Sequence, residues 1–261
     1  MLSECGINGS DLPEKTVCLT FDDGPAFPVL SDAGPRSLQV GVHLAERGAQ
    51  ATFFVLGEQL ARTGELALRL AHLGHNLANH TWSHPSLLTC DSQTAFKQIE
   101  KTDQLLRPLP ATLQLLRPPF GDWSPAVADA VNATPMRKYI GPVMWDIDGE
   151  DWRSWHRDES PRSCVSKYTT LLAAHGRGIL LLHDNSAEPE LAAKNRTFEA
   201  VKLLLAWLGA NGFTVVPLRE APQVRAALDA AAVERVPAPQ QSMAAGAGIL
   251  DGRGKNLDAD A

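Results

Sequence analysis

Gly178-Ile179-Leu180-Leu181-Leu182-His183-Asp184 is the stretch on which the fold turns. An apolar run this short, with no polar residue alternating through it, suits a strand buried on both faces, as in a parallel sheet covered by helices. It ends abruptly in two residues that carry chemistry. On either side the same unit recurs. Residues 16–21 form a β-rich run that stops at Asp22-Asp23-Gly24-Pro25, and 51–55 is a second strand. Residues 76–79, 113–116, 139–145 and 213–216 supply the others, with Gly141 and Pro142 loosening the fifth strand in chain order. Between them, apolar residues at helical spacing mark helices: Leu38, Val42 and Ala45; the span 65–73; Ala95, Ile99, Thr102 and Leu106; then 125–131, 164–173 and 198–208.

Seven strands alternating with helices predict a parallel sheet, because parallel neighbours need a crossover connection. Both a β/α barrel and an open doubly wound sheet show this alternation. The number of units in one chain favours the barrel. The expected layout is an extension over 1–13, one catalytic unit over 14–220, and a terminal region over 221–261. From Arg219 onward Ala, Gln, Pro and Gly take over, so 221–233 is expected to add one helix and 238–261 a disordered tail.

Composition narrows the partners. The 24 basic and 30 acidic side chains give a formal charge of −6. Nucleic acid and anionic lipid both demand clustered Lys and Arg, so neither is expected, and a neutral substrate fits better. No apolar stretch approaches the ~20 residues of a membrane span. Residues 1–8 carry Glu4, no basic residue and no apolar centre, and do not read as a secretory signal; the chain as given reads as cytoplasmic. Cys5, Cys18, Cys90 and Cys164 match no zinc-ribbon or redox spacing and are expected to be mostly buried thiols.

Polar residues suited to chemistry recur just after the strands: Asp22 and Asp23, His80 to His84, Arg117, Asp148 to Trp152, and His183-Asp184. In a β/α barrel these positions share the face formed by the C-terminal strand ends, where active sites are assembled. Each has a plainer explanation alone. Asp-Asp-Gly-Pro is ordinary turn chemistry. With eight histidines in 261 residues, chance would supply about 0.25 His-x-x-x-His pairs. Arg117-Pro118-Pro119 can be a rigid surface turn, and His183 a hydrogen-bonded core histidine. Taken together they form a site. Two imidazoles (His80, His84) and the Asp23 carboxylate would grip zinc and leave one position open for water, as hydrolytic sites do. Asp22 would handle a proton beside them, held by the Arg117 guanidinium, and Asp151 would orient His183 as a proton donor.

Thr20-Phe21-Asp22-Asp23-Gly24-Pro25, His80-Thr81-Trp82-Ser83-His84, Arg117-Pro118-Pro119-Phe120-Gly121, Asp148-Gly149-Glu150-Asp151-Trp152 and Ile179 to Asp184 resemble, in order, the five motifs of the polysaccharide deacetylases with a NodB homology domain. The likeness covers roughly 14–218. It implies a distorted (β/α)7 barrel with its active site at the C-terminal strand ends, and removal of acetyl groups from an oligo- or polysaccharide by a metal-activated water. The substrates implied are N-acetylglucosamine units of chitin-like glycans or peptidoglycan, with O-acetyl groups of acetylxylan as the alternative. By the resemblance Asp23, His80 and His84 bind the metal, Asp22 is the general base, Arg117 tethers it, and His183, oriented by Asp151, is the general acid. Leu181 and Trp152 would frame the acetyl methyl, and the backbone N–H near Phe120 would assist the oxyanion. Trp82, Trp123, Trp152 and Trp155 are candidates for stacking on sugar rings, or for capping the core. The 26–36 segment departs from the family by its length and irregularity, which bears on substrate fit. Rival readings are a carbohydrate-binding homologue that has lost catalysis and a barrel hydrolase of small cyclic amides.

Overall fold

In the computed structural model, which describes residues 2–27, 34 and 36–234, the alternation resolves into these elements. In chain order they are β1 (Leu2–Ile7), β2 (Thr16–Asp22), α1 (Ser37–Ala45), β3 (Ala51–Val55), α2 (Gly57–His72), β4 (Asn76–Asn79), α3 (Ser92–Leu106), β5 (Thr112–Leu116) and α4 (Pro125–Asn132). They continue as β6 (Gly141–Val143), β7 (Ile147–Asp148), α5 (Asp151–His156), α6 (Pro161–His175), β8 (Gly178–His183), α7 (Pro189–Lys194), α8 (Thr197–Ala210), β9 (Thr214–Val215) and α9 (Pro222–Glu234). Helix starts follow local chemistry. Asp91 caps α3 by accepting from the Thr94 N–H at 2.7 Å, and Ser160 followed by Pro161 opens α6, which ends at the left-handed Gly176.

The main sheet is parallel and runs β5-β4-β3-β2-β8-β7. Strand alternation sorts its side chains. Val17, Leu19 and Phe21 of β2, with Phe53, Val55, Leu180 and Leu182, pack outward on the helices. Cys18, Phe54, Ala78, Ile179 and Leu115 pack on the other side with Ile140 and Val143. That inner cluster also takes in Ile7 and Leu12 from the N-terminal segment, Leu218 and Ala221 from the turn before α9, and Val224 of α9. Thr20 and Asp22 share the inner face with Cys18 but lie nearer the strand end, where polar side chains take over.

The fold is the expected α/β arrangement of parallel strands and helices, and the run that would join the two edges of the main sheet is broken up. Residues 139–145 do not form one strand. Only Gly141–Val143 of it is strand, with Gly141 at φ 145° and Pro142 lacking an N–H for the ladder. β6 pairs with β1, the strand that the polar sequence Ser3-Glu4-Cys5-Gly6 had concealed. β7 pairs with β8. The crossing stretch joins both edges: Ile140 N–H donates to Gln114 O at 2.8 Å beside β5, and Asp146 N–H to Ile179 O at 2.9 Å beside β8. β9 lies off the path of the main sheet, since it pairs only with Thr16 and Val17 at the foot of β2. The helix expected over 221–233 is α9. Cys18 and Cys164 are buried, whereas Cys5 is exposed and Cys90 half-buried, so the thiols are less uniformly interior than expected. Of the 26–36 segment, residues 28–33 and 35 lie outside the described residues, as does the expected tail over 238–261.

Candidate active site

Asp22 closes β2, and Asp23 follows with φ 73°, which swings the second carboxylate away from the first. Both are buried. Asp23 Oδ1 lies 3.4 Å from His84 Nε2 and 3.6 Å from His80 Nε2, yet accepts no hydrogen bond from the described residues. One ligand atom from each of these three residues lies within 4.8 Å of the others. Such a buried, orphaned oxygen facing two imidazole nitrogens is the mark of a cation site, because an unmade hydrogen bond there would otherwise be costly. The histidines are prepared for it. His80 Nδ1 is 2.8 Å from the Arg117 carbonyl, which fixes that nitrogen as the donor and leaves Nε2 bare. Burial pushes His84 down to about 4, outweighing the upward pull of Asp23, so its ring is neutral as a ligand must be.

Arg117 follows β5 and is fully buried, with its guanidinium 4.2 Å over the Phe54 ring. It donates to Asp22 Oδ1 at 2.8 Å, Thr20 Oγ1 at 2.8 Å, and the carbonyls of Val143 and Met144 at 3.0 and 3.2 Å. One oxygen of Asp22 is therefore committed to Arg117, while Oδ2 faces His80 Nε2 at 3.6 Å.

Across the opening, His183 ends β8 and Asp151 begins α5. His183 Nδ1 is 2.7 Å from Asp151 Oδ1, and the His183 N–H donates to Asp151 Oδ2 at 2.8 Å. Burial alone would lower the His183 pKa, but Asp151, with help from Asp23 and Asp22, raises it to about 10. The ring's other nitrogen is turned to the cavity.

That cavity has a volume of ≈ 350 Å³, at the lower end of the range for small-ligand sites. Asp22, Asp23, His80, His84, Phe120, Trp152, Leu181 and His183 all line it. Arg117 and Asp151 stand behind the wall. Phe120, with φ 60°, is 65% exposed, and its ring meets the His84 edge at 4.5 Å. Trp152 is half-exposed, whereas Trp155 lines the cavity from a buried position. Trp82 and Trp123 are not part of this wall: Trp82 packs on Gly57 and under Lys101, and Trp123 donates to the Ser3 carbonyl. Trp145, Asp148, Asn185, Glu188 and Asn195 also line the cavity, and the sequence reading gave none of them a role. Trp145 sits in the broken strand, where alternation could not place it. Asp184 is buried against Gly24, whose missing Cβ makes the room, and burial together with Asp23 and Asp22 raises it to about 7.

Three acids, three histidines and a buried arginine from the ends of five strands, β2, β4, β5, β7 and β8, thus gather around one opening. Comparisons with known proteins agree in kind. The polysaccharide deacetylase family model matches residues 9–139. A chitooligosaccharide deacetylase of Rhizobium leguminosarum bv. trifolii is 32% identical over 232 residues, 85% of this chain and 97% of that protein. The peptidoglycan-N-acetylmuramic acid deacetylase PdaC of Bacillus subtilis (strain 168) is 31% identical over 67% of this chain and 33% of its own length. The solved structure of peptidoglycan deacetylase PdaC from Bacillus subtilis superposes with a TM-score of 0.62 at 28% identity, covering 85% of this chain and 96% of that one.

Proposed function

This chain belongs to the polysaccharide deacetylase family, and from that premise we propose that it removes the N-acetyl group from N-acetylglucosamine units of a chitin-like oligo- or polysaccharide, with zinc held by Asp23, His80 and His84. The family's enzymes are metal-dependent hydrolases. The observation that carries the reading is the buried, unpaired Asp23 Oδ1 facing two imidazole nitrogens, with the Asp22 carboxylate and the Asp151-bound His183 lining the same cavity. Two imidazoles and one carboxylate suit zinc over the hard cations, which prefer all-oxygen sites. A divalent ion held by Asp23, His80 and His84 would supply Lewis-acid polarisation of the acetyl carbonyl and a more acidic water near neutral pH.

The chain's own residues supply the rest. Asp22 takes a proton from the attacking water through Oδ2, while Arg117 holds Oδ1 and prevents the carboxylate from rotating. The backbone N–H at the Phe120 turn faces the developing oxyanion. Leu181 and Trp152 enclose the acetyl methyl, and the exposed Phe120 face receives a pyranose ring. His183, carrying its proton, gives it to the departing sugar amine, and Asp151 keeps the ring in the orientation that makes this direct. The catalytic unit in this reading spans 14–220, with 1–13 and the α9 region packed on as extensions.

Acetate release from chitooligosaccharides, peptidoglycan and acetylxylan, measured side by side, tests the reading. Chitooligosaccharides are expected to be turned over fastest, and Asp23→Ala or chelation to abolish release. Undiminished release after both treatments would refute it.

A further inference from the structure

The loop from β8 to α8 lies outside every motif, yet its far end touches the proton-donating pair. Asn195, buried, donates from Nδ2 to the His183 carbonyl at 2.8 Å and accepts at Oδ1 from the Thr197 N–H at 3.0 Å. The first residue of α8 is thereby set in register with the backbone of His183. Thr197 is fully buried, and its hydroxyl lies 3.2 Å from Asp151 Oδ2 and 3.2 Å from Trp155 Nε1. An indole N–H only donates and a carboxylate only accepts, so the hydroxyl hydrogen has one destination, which is Asp151. The bonds run in a fixed sense from Trp155 to Thr197 to Asp151.

Asp151 accepts four hydrogen bonds. Oδ1 takes the His183 Nδ1–H at 2.7 Å and the Trp152 N–H at 2.9 Å; Oδ2 takes the His183 N–H at 2.8 Å and the Thr197 hydroxyl. Two of these come from His183, whose backbone is fixed in β8, and one from α5's own first turn. Thr197 is the contact from a separate, well-packed helix: α8 buries Ala200, Val201, Leu204 and Leu208 in the core. It anchors the carboxylate plane to the core instead of to the pair itself.

We propose that Thr197, seated by Asn195, is a positioning residue that locks the Asp151 carboxylate and through it the His183 ring. This rests on the reading of His183 as general acid. A ring misdirected by a fraction of an ångström delivers its proton less often without weakening substrate binding, so the defect belongs in kcat.

The test compares acetate release from chitooligosaccharide by the full-length wild type, Thr197→Val, Thr197→Ser and His183→Ala, with folding checked by circular dichroism. Thr197→Val is nearly isosteric but has no hydroxyl, and should lower kcat about tenfold or more with KM held within about twofold. Thr197→Ser keeps the hydroxyl and loses the methyl, and should return kcat to within about twofold of wild type. A purely structural role would change the melting temperature in both variants and leave kcat of the folded enzyme alone. Should Thr197→Val fail to fold, Thr197→Ala, which leaves room for a water, takes its place. A folded Val or Ala variant with wild-type kcat, or a Ser variant as impaired as Val, overturns the proposal while the reading of the site stands. Wild-type activity in His183→Ala, or no acetate from the wild type, overturns both.

Discussion

Replacing Asp151 by Asn removes the charge beside His183 and keeps nearly the same volume. Asp151 is the foremost of the groups that hold His183 at about 10 against the opposing effect of burial. Asp22 is paired with Arg117, and a bound cation would cancel the pull of Asp23, so Asp151 is the charge that remains. Without it the imidazole falls at least to its ordinary 6.5, and burial takes it lower. A general acid works only while protonated, so activity is lost as pH rises through its pKa. At pH 8 the protonated fraction goes from nearly all to about 3%, an about 30-fold loss in kcat, whereas at pH 6 the same change costs less than about twofold. A pH-independent loss from the poorer orientation is added at every pH, on the order of tenfold. The assay is kcat for acetate release from pH 5.5 to 9.5 with wild type and Asp151→Asn. The basic limb should move to lower pH by more than a full unit. A variant profile of the same shape as wild type, merely scaled down, would refute His183 as the proton donor tuned by Asp151.

Arg117→Met should cost about 3–5 kcal/mol in a urea titration, because it strands the buried Asp22 carboxylate, and it should abolish acetate release in whatever folded protein remains. Chelation should lower the melting temperature by several degrees, since an ion present at 100 times its Kd stabilises by about 2.7 kcal/mol and a chain of this size shifts roughly 2–4 °C per kcal/mol. Added zinc should restore the transition in wild type but not in Asp23→Ala; an unchanged melting curve on chelation would argue against a bound cation.

Much of this architecture was legible because two central strands are nearly unbroken apolar runs. Residues 178–182 and 51–55 leave no polar side to place in water, and both lie in the middle of the sheet. The polar residues that stop those strands are what gather at the opening. Three features escaped, each for a physical reason. β1 buries only its ends and leans on one short strand, so its sequence carries almost no burial pattern. The crossing at 140–146 holds its place through two hydrogen bonds at each edge and through Arg117, none of which leaves a periodicity. Asn195 and Thr197 read as a polar loop and a helix start, and their contacts with His183 and Asp151 lie 12 and 46 residues away in the chain.

The backbone makes clear why these residues must be held by a rigid framework. Asp23, Thr81, His84, Phe120 and Glu150 all adopt left-handed φ between 52° and 73°, and each belongs to a different corner of the opening or to the loop that shapes it. Such residues cost on the order of 1–3 kcal/mol apiece for side chains other than glycine, and persist only when their surroundings over-determine them. Here the surroundings are the fully buried inner strands and the hydrogen bonds at their ends: Thr81 N–H to Asn79 Oδ1 at 2.8 Å, His80 N–H to Val55 O at 3.1 Å, and Arg117 N–H to Asn79 O at 3.1 Å. Asn79 is held in turn, donating to Ile99 O and to Tyr139, whose hydroxyl bonds buried Asp103. The strained turns aim His80, His84 and Asp23 at one point, and the stable half of the fold keeps them aimed there before any ion arrives. A cation held there would add three favourable contacts without asking the loops to rearrange, so such a site would gain affinity from preorganisation instead of spending it on folding.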